Sequence, residues 1–354
     1  MFYRRVAATT ALALSVALCG GAAHAQDAEV IELNMATPWS GGHWLEDGAQ
    51  RYADIVELTT NGRVKINVFP AGALGSALKV TETVATGVAD AGHAWAGYDW
   101  SVDRTAALLS GWPGGPNPEE MAMWMFNGNG GDLLKEWRME KFGVVSFPCG
   151  TPETEIFMHS HKPVTTPEDM QGLKLRTSSS WAEIAPRLGA STVVLPGSEV
   201  FSALERRVVD AIEWGGPGGN EQAGFNRVAK YVITPGLHSR AAAHDCIFNQ
   251  SAWDRISEHD QEVMELAGKT AWFDAYLSYV KLDIEGYKKM KTNPENVFLT
   301  VEPSLIEAVS KASTEWAEEQ AESNEWFKRV YEDQKAFLED MRLVKEFRFA
   351  IGDR

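Results

Sequence analysis

What most constrains this chain is a change of rhythm along its length. Up to Trp214, short runs with the two-residue period of a strand take turns with stretches carrying the stripe of an amphipathic helix; from Ser257 onward only the helical period remains. Residues 30–35 alternate apolar and polar side chains, and Val64, Ile66 and Val68 do the same. Between them Leu45, Ala49, Tyr52 and Val56 fall at offsets of 0, 4, 7 and 11, one face of a helix. A helix over 79–86 and a strand over 88–95 follow. Further strands are expected at 144–147, 173–176, 192–195 and 209–214, with helices at 181–188 and 200–206. Such alternation calls for α/β layering with a largely parallel sheet. Ser257-x-x-Asp260 and the fuller capping box Ser304-x-x-Glu307 then open long helices, the second striped by Ile306, Val309, Ser313 and Trp316. Trp326, Val330, Phe337 and Met341 continue that spacing, and the C-terminal helices are expected to clasp two α/β lobes together.

The first residues follow another logic. Arg4 and Arg5, the apolar run 6–18 and Ala23-His24-Ala25 are the three parts of a secretory signal peptide, so residues 1–25 are read as a leader. The run is too short to span a bilayer, and no later apolar stretch reaches about 18 residues. Cys19 follows Leu18, a poor residue before a lipidated cysteine. Cys149 and Cys246 then remain, either paired in an oxidising compartment or standing as two buried thiols. A net charge of −16 without a basic patch argues against nucleic acid or an anionic membrane as partner.

No nucleophile elbow, phosphate-binding loop, HExxH or CxxC appears. Gly215-Gly216-Pro217-Gly218-Gly219 reads as an adaptable loop after a strand, and His159-Ser160-His161 is weak zinc-type spacing. Three clusters carry more. Arg176 ends a short strand, the place where open α/β sheets bind ligands, and a guanidinium can hold a carboxylate by two parallel hydrogen bonds. Asp210-Ala211-Ile212-Glu213-Trp214 sets a carboxylate beside an indole at another strand end. Glu153 and Glu155 share one side of an extended segment, suited to acid–base work or to oxygen ligation of a hard metal. Trp39, Trp95, Tyr98, Trp100 and Trp181 sit near turns and suggest an aromatic-lined cleft. On these residues alone a secreted metal-dependent hydrolase, using Glu153, Glu155, His159 and His161, competes with a binding protein.

The order of the clusters resembles the extracytoplasmic solute-binding proteins of TRAP transporters, the DctP family. The resemblance rests on Phe69-Pro70-Ala71-Gly72-Ala73-Leu74-Gly75, on Pro167-Glu168-Asp169-Met170-Gln171-Gly172-Leu173-Lys174-Leu175-Arg176 and on Asp210 to Trp214. It implies an α/β fold, a two-lobed periplasmic binding protein with a long helical C-terminal region. Lobe 1 would take residues 26–150 and about 237–285, and lobe 2 about 151–236 and 286–345. It implies no enzymatic turnover, and membrane subunits of a TRAP transporter as partners. The chain is most similar to the branch that binds 2-oxo acids and lactate with a metal ion, through Gly215-Gly216-Pro217 and Pro235-Gly236-Leu237-His238. Arg176 would then grip the ligand carboxylate, with Glu155, Trp214, Tyr98 and Asn220 around it. Glu213, the Trp214 carbonyl and Glu155 would hold the metal. Ser239 stands where that branch has a metal-binding Glu, and Glu155 where it has a Gln. Two carboxylates remain either way, which suits Na⁺ or Ca²⁺ better than a transition metal. The Ser239 departure and the added tryptophans also leave open a bulkier, aromatic monocarboxylate, and the striped C-terminal helices leave open a homodimer.

Overall fold

The structure, a computed structural model, describes residues 30–150 and 154–348. The leader, with Arg4, Arg5 and Cys19, lies outside the described residues, and so does Glu153. Among the described residues eleven strands form two sheets. The first is built from β1 (Ile31–Ala36), β2 (Val64–Phe69), β3 (Ala91–Trp95) and β4 (Val144–Gly150). The second is built from β5 (Met158–Ser160), β6 (Lys174–Arg176), β7 (Ser191–Val193), β8 (Ala211–Ile212) and β9 (Tyr231–Thr234). The chain then returns to the first sheet as β10 (His244–Asn249) and closes the second as β11 (Val297–Thr300). The orders are β2-β1-β3-β10-β4 and β11-β9-β5-β8-β6-β7.

The strand–helix rhythm produces the parallel part of each sheet. β1 pairs in parallel with β2 from Ile31↔Val64 to Ala36↔Phe69, and β6 lies parallel to β7 and β8. The sheets are nevertheless mixed, not largely parallel. β10 runs antiparallel to both β3 and β4, and β5 runs antiparallel to both β8 and β9. Local periodicity reports that a strand exists, whereas its direction depends on where a distant return segment inserts. β10 also settles the cysteines: Cys149 and Cys246 are joined in a disulfide, both fully buried, with Cα atoms 5.6 Å apart. Gly150 pairs with His244 and Pro148 with Asp245, so Cys149 is the extra residue of a bulge.

The two helix starts expected to be capped by serine fare differently. The 35-residue helix Glu258–Thr292 begins as expected, the Ser257 side chain accepting from the Asp260 amide at 3.2 Å. The Ser304 box does not form. That helix runs Pro303–Ser323 and starts two residues earlier, with Glu302 as the cap and Pro303 at the first helical position, where its missing N–H costs nothing. The helix Glu325–Arg348 follows, and the two bridge the lobes. In the second lobe the Trp316 indole donates to Glu183 at 2.8 Å, and Arg187 donates to both oxygens of Glu319 at 2.9 and 2.6 Å. In the first lobe the Trp112 indole donates to Gln334 and the Trp124 indole to Asp333, each at 2.7 Å.

The first lobe hides one ion cluster. Arg138, on the helix Gly130–Phe142, is fully buried and meets Asp245 through Nε at 2.7 Å and Nη2 at 3.1 Å, and Asp99 through Nη1 at 2.6 Å. Burial works against the guanidinium charge, yet the two carboxylates outweigh it and raise its pKa further. Among the described residues no helix is long and apolar enough to cross a membrane.

Candidate functional site

The strands of both lobes end at a cavity of about 30 Å³, room for only one or two waters. The first lobe contributes Trp39, Trp44, Trp95, Tyr98 and His244 to its lining, the second Glu155, Arg176, Glu213 and Trp214. Arg176 is the last residue of β6 and 1 % exposed. Its Nη2 and Nε donate to the Leu195 carbonyl at 2.9 and 3.3 Å, and its Nη1 donates to the Glu213 carbonyl at 2.9 Å. The Trp214 ring lies against the guanidinium, 5.0 Å from centroid to Cζ. Of the five N–H groups of an arginine, three are thereby fixed to backbone. One remains on each terminal nitrogen, met by Glu213 Oε1 at 3.4 Å from Nη1 and by the Tyr98 hydroxyl. That pair is the fork a carboxylate engages. The Tyr98 hydroxyl stands beside the same guanidinium, and burial raises the phenol pKa, so it stays neutral.

Three buried groups meet across the cavity. His238 Nε2 lies 2.8 Å from Glu155 Oε2 and 3.5 Å from Glu213 Oε2. Burial opposes a charged imidazole, but the two carboxylates overcome it and push the His238 pKa up to about 9. His238 is therefore an imidazolium that donates to Glu155. Burial also works against the Glu213 carboxylate, yet His238 and Arg176 hold its pKa below the usual range. Burial raises Glu155, with His238 opposing. One ligand atom from each of the three lies within 4.8 Å of the others, the arrangement of a cation site. Gly236 permits this packing, because a Cβ there would run into the Glu155 carbonyl.

The other wall is aromatic and uncharged. The Trp39 indole donates to His93 Nδ1 at 3.0 Å, and Trp44 stands 5.1 Å from both Trp39 and Trp214, centroid to centroid. Burial brings His93 down to about 3 and His43 to about 4, and with them His244 well below its ordinary value. Gly215 makes room for Trp44, since an added Cβ would sit 2.8 Å from that ring.

Arg176, Glu213, Trp214, Glu155 and Tyr98 thus share one cavity, as do Trp39 and Trp95. Asn220 does not line it; buried behind the wall, it donates to the Gly215 carbonyl at 2.9 Å. Trp181 packs near Phe157 and His238, and Trp100 against Arg104. Asp210 is structural, accepting from the Lys174 amide at 3.1 Å and pairing with Lys162. The two histidines on either side of Ser160 part company: His159 packs near Phe225, and His161 bonds the Leu204 carbonyl at 2.8 Å. The sequence shows His238 only as the end of Pro235-Gly236-Leu237-His238 and assigns it no role. Its signal was weak, since the segment that carries it meets Glu155 only through the fold. Trp44 and His244 gave no separate signal.

A family model for bacterial extracellular solute-binding proteins, family 7 (DctP), matches residues 35–324. The chain belongs to this family. As a DctP-family receptor it is 30 % identical over 307 residues to a monocarboxylate 2-oxoacid-binding periplasmic protein of Nostoc, spanning 87 % of this chain and 84 % of that one. A TRAP periplasmic solute-binding protein from Pseudoalteromonas atlantica, crystallised with sodium and pyruvate, is 27 % identical, with a TM-score of 0.85 over 90 % of this chain and 97 % of its own. One from Bordetella bronchiseptica, a mixed-occupancy dimer with calcium and picolinate, reaches a TM-score of 0.86 at 24 % identity, covering 90 % of this chain and 95 % of that one. The two-lobed α/β architecture with helical C-terminal region is that of TRAP solute receptors.

Proposed function

We propose that this TRAP solute receptor captures a 2-oxo or 2-hydroxy monocarboxylate together with a cation, in the periplasm, and presents it to the transporter's membrane subunits. The supporting observation is Arg176, buried and pinned to two backbone carbonyls, whose remaining terminal N–H groups face only the Glu213 carboxylate, at 3.4 Å, and the Tyr98 hydroxyl. Closure around the anion excludes water and strengthens the pair. The lobes would be the units of the two sheets, with 26–150 and about 237–285 in one and about 151–236 and 286–345 in the other. The leader 1–25 and the Cys149–Cys246 disulfide both suit an oxidising compartment.

The residues present fit a cation. Arg176 and His238 balance Glu155 and Glu213, so an incoming carboxylate adds an uncompensated negative charge to a buried site. Glu155, Glu213 and the Trp214 carbonyl would hold Na⁺ or Ca²⁺, with His238 as a further ligand once deprotonated. The cation supplies the missing positive charge. Ser239, beside Glu155, leaves the carboxylate count at two. The relatives from Nostoc and Pseudoalteromonas atlantica favour the same ligand class. No covalent step is involved, so the hydrolase reading predicts turnover that this one does not.

Isothermal titration with pyruvate, lactate and succinate, each with Ca²⁺, with Na⁺ and after chelation, tests the reading. Saturable, cation-dependent monocarboxylate binding is expected; no binding by any of them sinks it. A second copy of the chain is part of the proposal: Leu266, Phe273, Leu277 and Ile284 stand exposed at spacings of 7, 4 and 7 along one face of Glu258–Thr292, the seam of a helix pair. Light scattering at the mass of one chain would remove it.

A further inference from the structure

A second cavity adjoins the first. Its volume is about 340 Å³, against about 30 Å³ for the space beside Arg176, and Trp39, Trp44 and Trp214 line both. One wall comes from the first-lobe turn 38–44, the other from the helices Gly197–Glu205, Pro217–Ala223 and Phe225–Val228 of the second lobe. We propose that this annex receives the uncharged tail of the ligand, so that the receptor selects an aryl or branched-alkyl 2-oxo acid over pyruvate and over dicarboxylates. The inference rests on the monocarboxylate reading above and adds the substrate class.

Four observations carry it. The small head cavity has no space for a tail, whereas the annex falls within the size range of small-molecule sites. No Asp, Glu, Lys or Arg lines the annex, and its one titratable neighbour, His43, is kept uncharged by burial. A second carboxylate would therefore be desolvated there with no partner. Its larger side chains, Phe201, Phe225, Trp44 and Trp214, suit flat or branched carbon skeletons. At the junction the Trp44 indole Nε1 is buried without a hydrogen-bond partner, a donor left for an oxygen of the bound molecule. Glycine keeps the junction in this form: a Cβ at Gly197 would collide with the Trp214 ring, and one at Gly219 with the His43 ring. Because the walls belong to different lobes, a tail in the annex is gripped only as the cleft closes, which ties tail recognition to closure.

The test is calorimetry on the mature receptor with Ca²⁺, using phenylpyruvate, pyruvate and 2-oxoglutarate. Phenylpyruvate is expected to bind at least tenfold tighter than pyruvate, and 2-oxoglutarate more weakly than either. Ser198 is exposed at the annex rim, so Ser198→Trp fills the annex from the surface; it should lower the phenylpyruvate-to-pyruvate affinity ratio at least tenfold. Phe201→Ala, which removes a wall and creates no clash, should lower the same ratio and serves if Ser198→Trp unfolds. Pyruvate binding with no preference for phenylpyruvate, or a ratio unmoved by both variants, overturns the annex and leaves the Arg176 reading standing. Failure of all three acids to bind overturns that reading and the annex together.

Discussion

Replacing Arg176 by lysine keeps the positive charge and removes the planar fork. Arg176→Ala would be a blunter probe, because it also strips donors from the Leu195 and Glu213 carbonyls and leaves the Glu213 carboxylate buried without its guanidinium. In Arg176→Lys a single ammonium replaces two parallel N–H contacts to the ligand. A hydrogen bond to a charged group is worth about 1.5–3 kcal/mol, so losing one of the two should raise the Kd roughly 10- to 150-fold. The lysine must also leave one backbone carbonyl short of a donor, a stability cost of about 1–3 kcal/mol. The two effects separate experimentally. Calorimetry with pyruvate and Ca²⁺ reads the first, and urea unfolding without ligand reads the second. A folded variant with a Kd within threefold of the parent would refute the argument that this fork holds the carboxylate.

Two further outcomes follow from buried charges. His238 carries a pKa raised from 6.5 to about 9, so its contribution to stability is fully present below pH 6.5 and is lost as pH rises through about 9. For chelated protein, urea unfolding should show an alkaline loss of up to ~3 kcal/mol that His238→Gln lacks; equal slopes in the two proteins would count against the imidazolium. Arg138→Leu removes the one cation from between Asp245 and Asp99 and should destabilise the chain by about 3–5 kcal/mol in urea unfolding, and a loss below 1 kcal/mol would mean the pair tolerates burial alone.

The elements that could be read directly were those whose evidence is local. β1 and β2 alternate, Leu45 to Val56 make a stripe, and Ser257 caps a helix, so each was visible in a window of a few residues. Arg176 was legible because it ends a short strand. The failures share one cause. The antiparallel insertion of β10, the cysteine pairing and the Arg138 cluster depend on contacts between residues about a hundred to a hundred and fifty positions apart. The same holds for the site. Glu155, Glu213 and His238 come from three separate segments, and no spacing in the sequence unites them. The Ser304 box misled for a smaller reason. Two local signals competed, and Pro303 at the first helical position prevailed over the Ser304 cap.

The helix Glu258–Thr292 runs unbroken from the first lobe into the second. Its early turns pack on β4 and on the helix Arg51–Thr59, and its last third rests against Pro217–Ala223. There the two backbones touch glycine to glycine: a Cβ on Gly286 would stand 2.7 Å from the Cα of Gly218. The halves of this receptor are therefore not free jaws on a slack string. They share a stiff axle, and the tilt between them is gauged at one bare point where neither surface carries a side chain. A single methyl group at that spot would act as a shim, propping the jaws apart without touching any atom that meets the cargo.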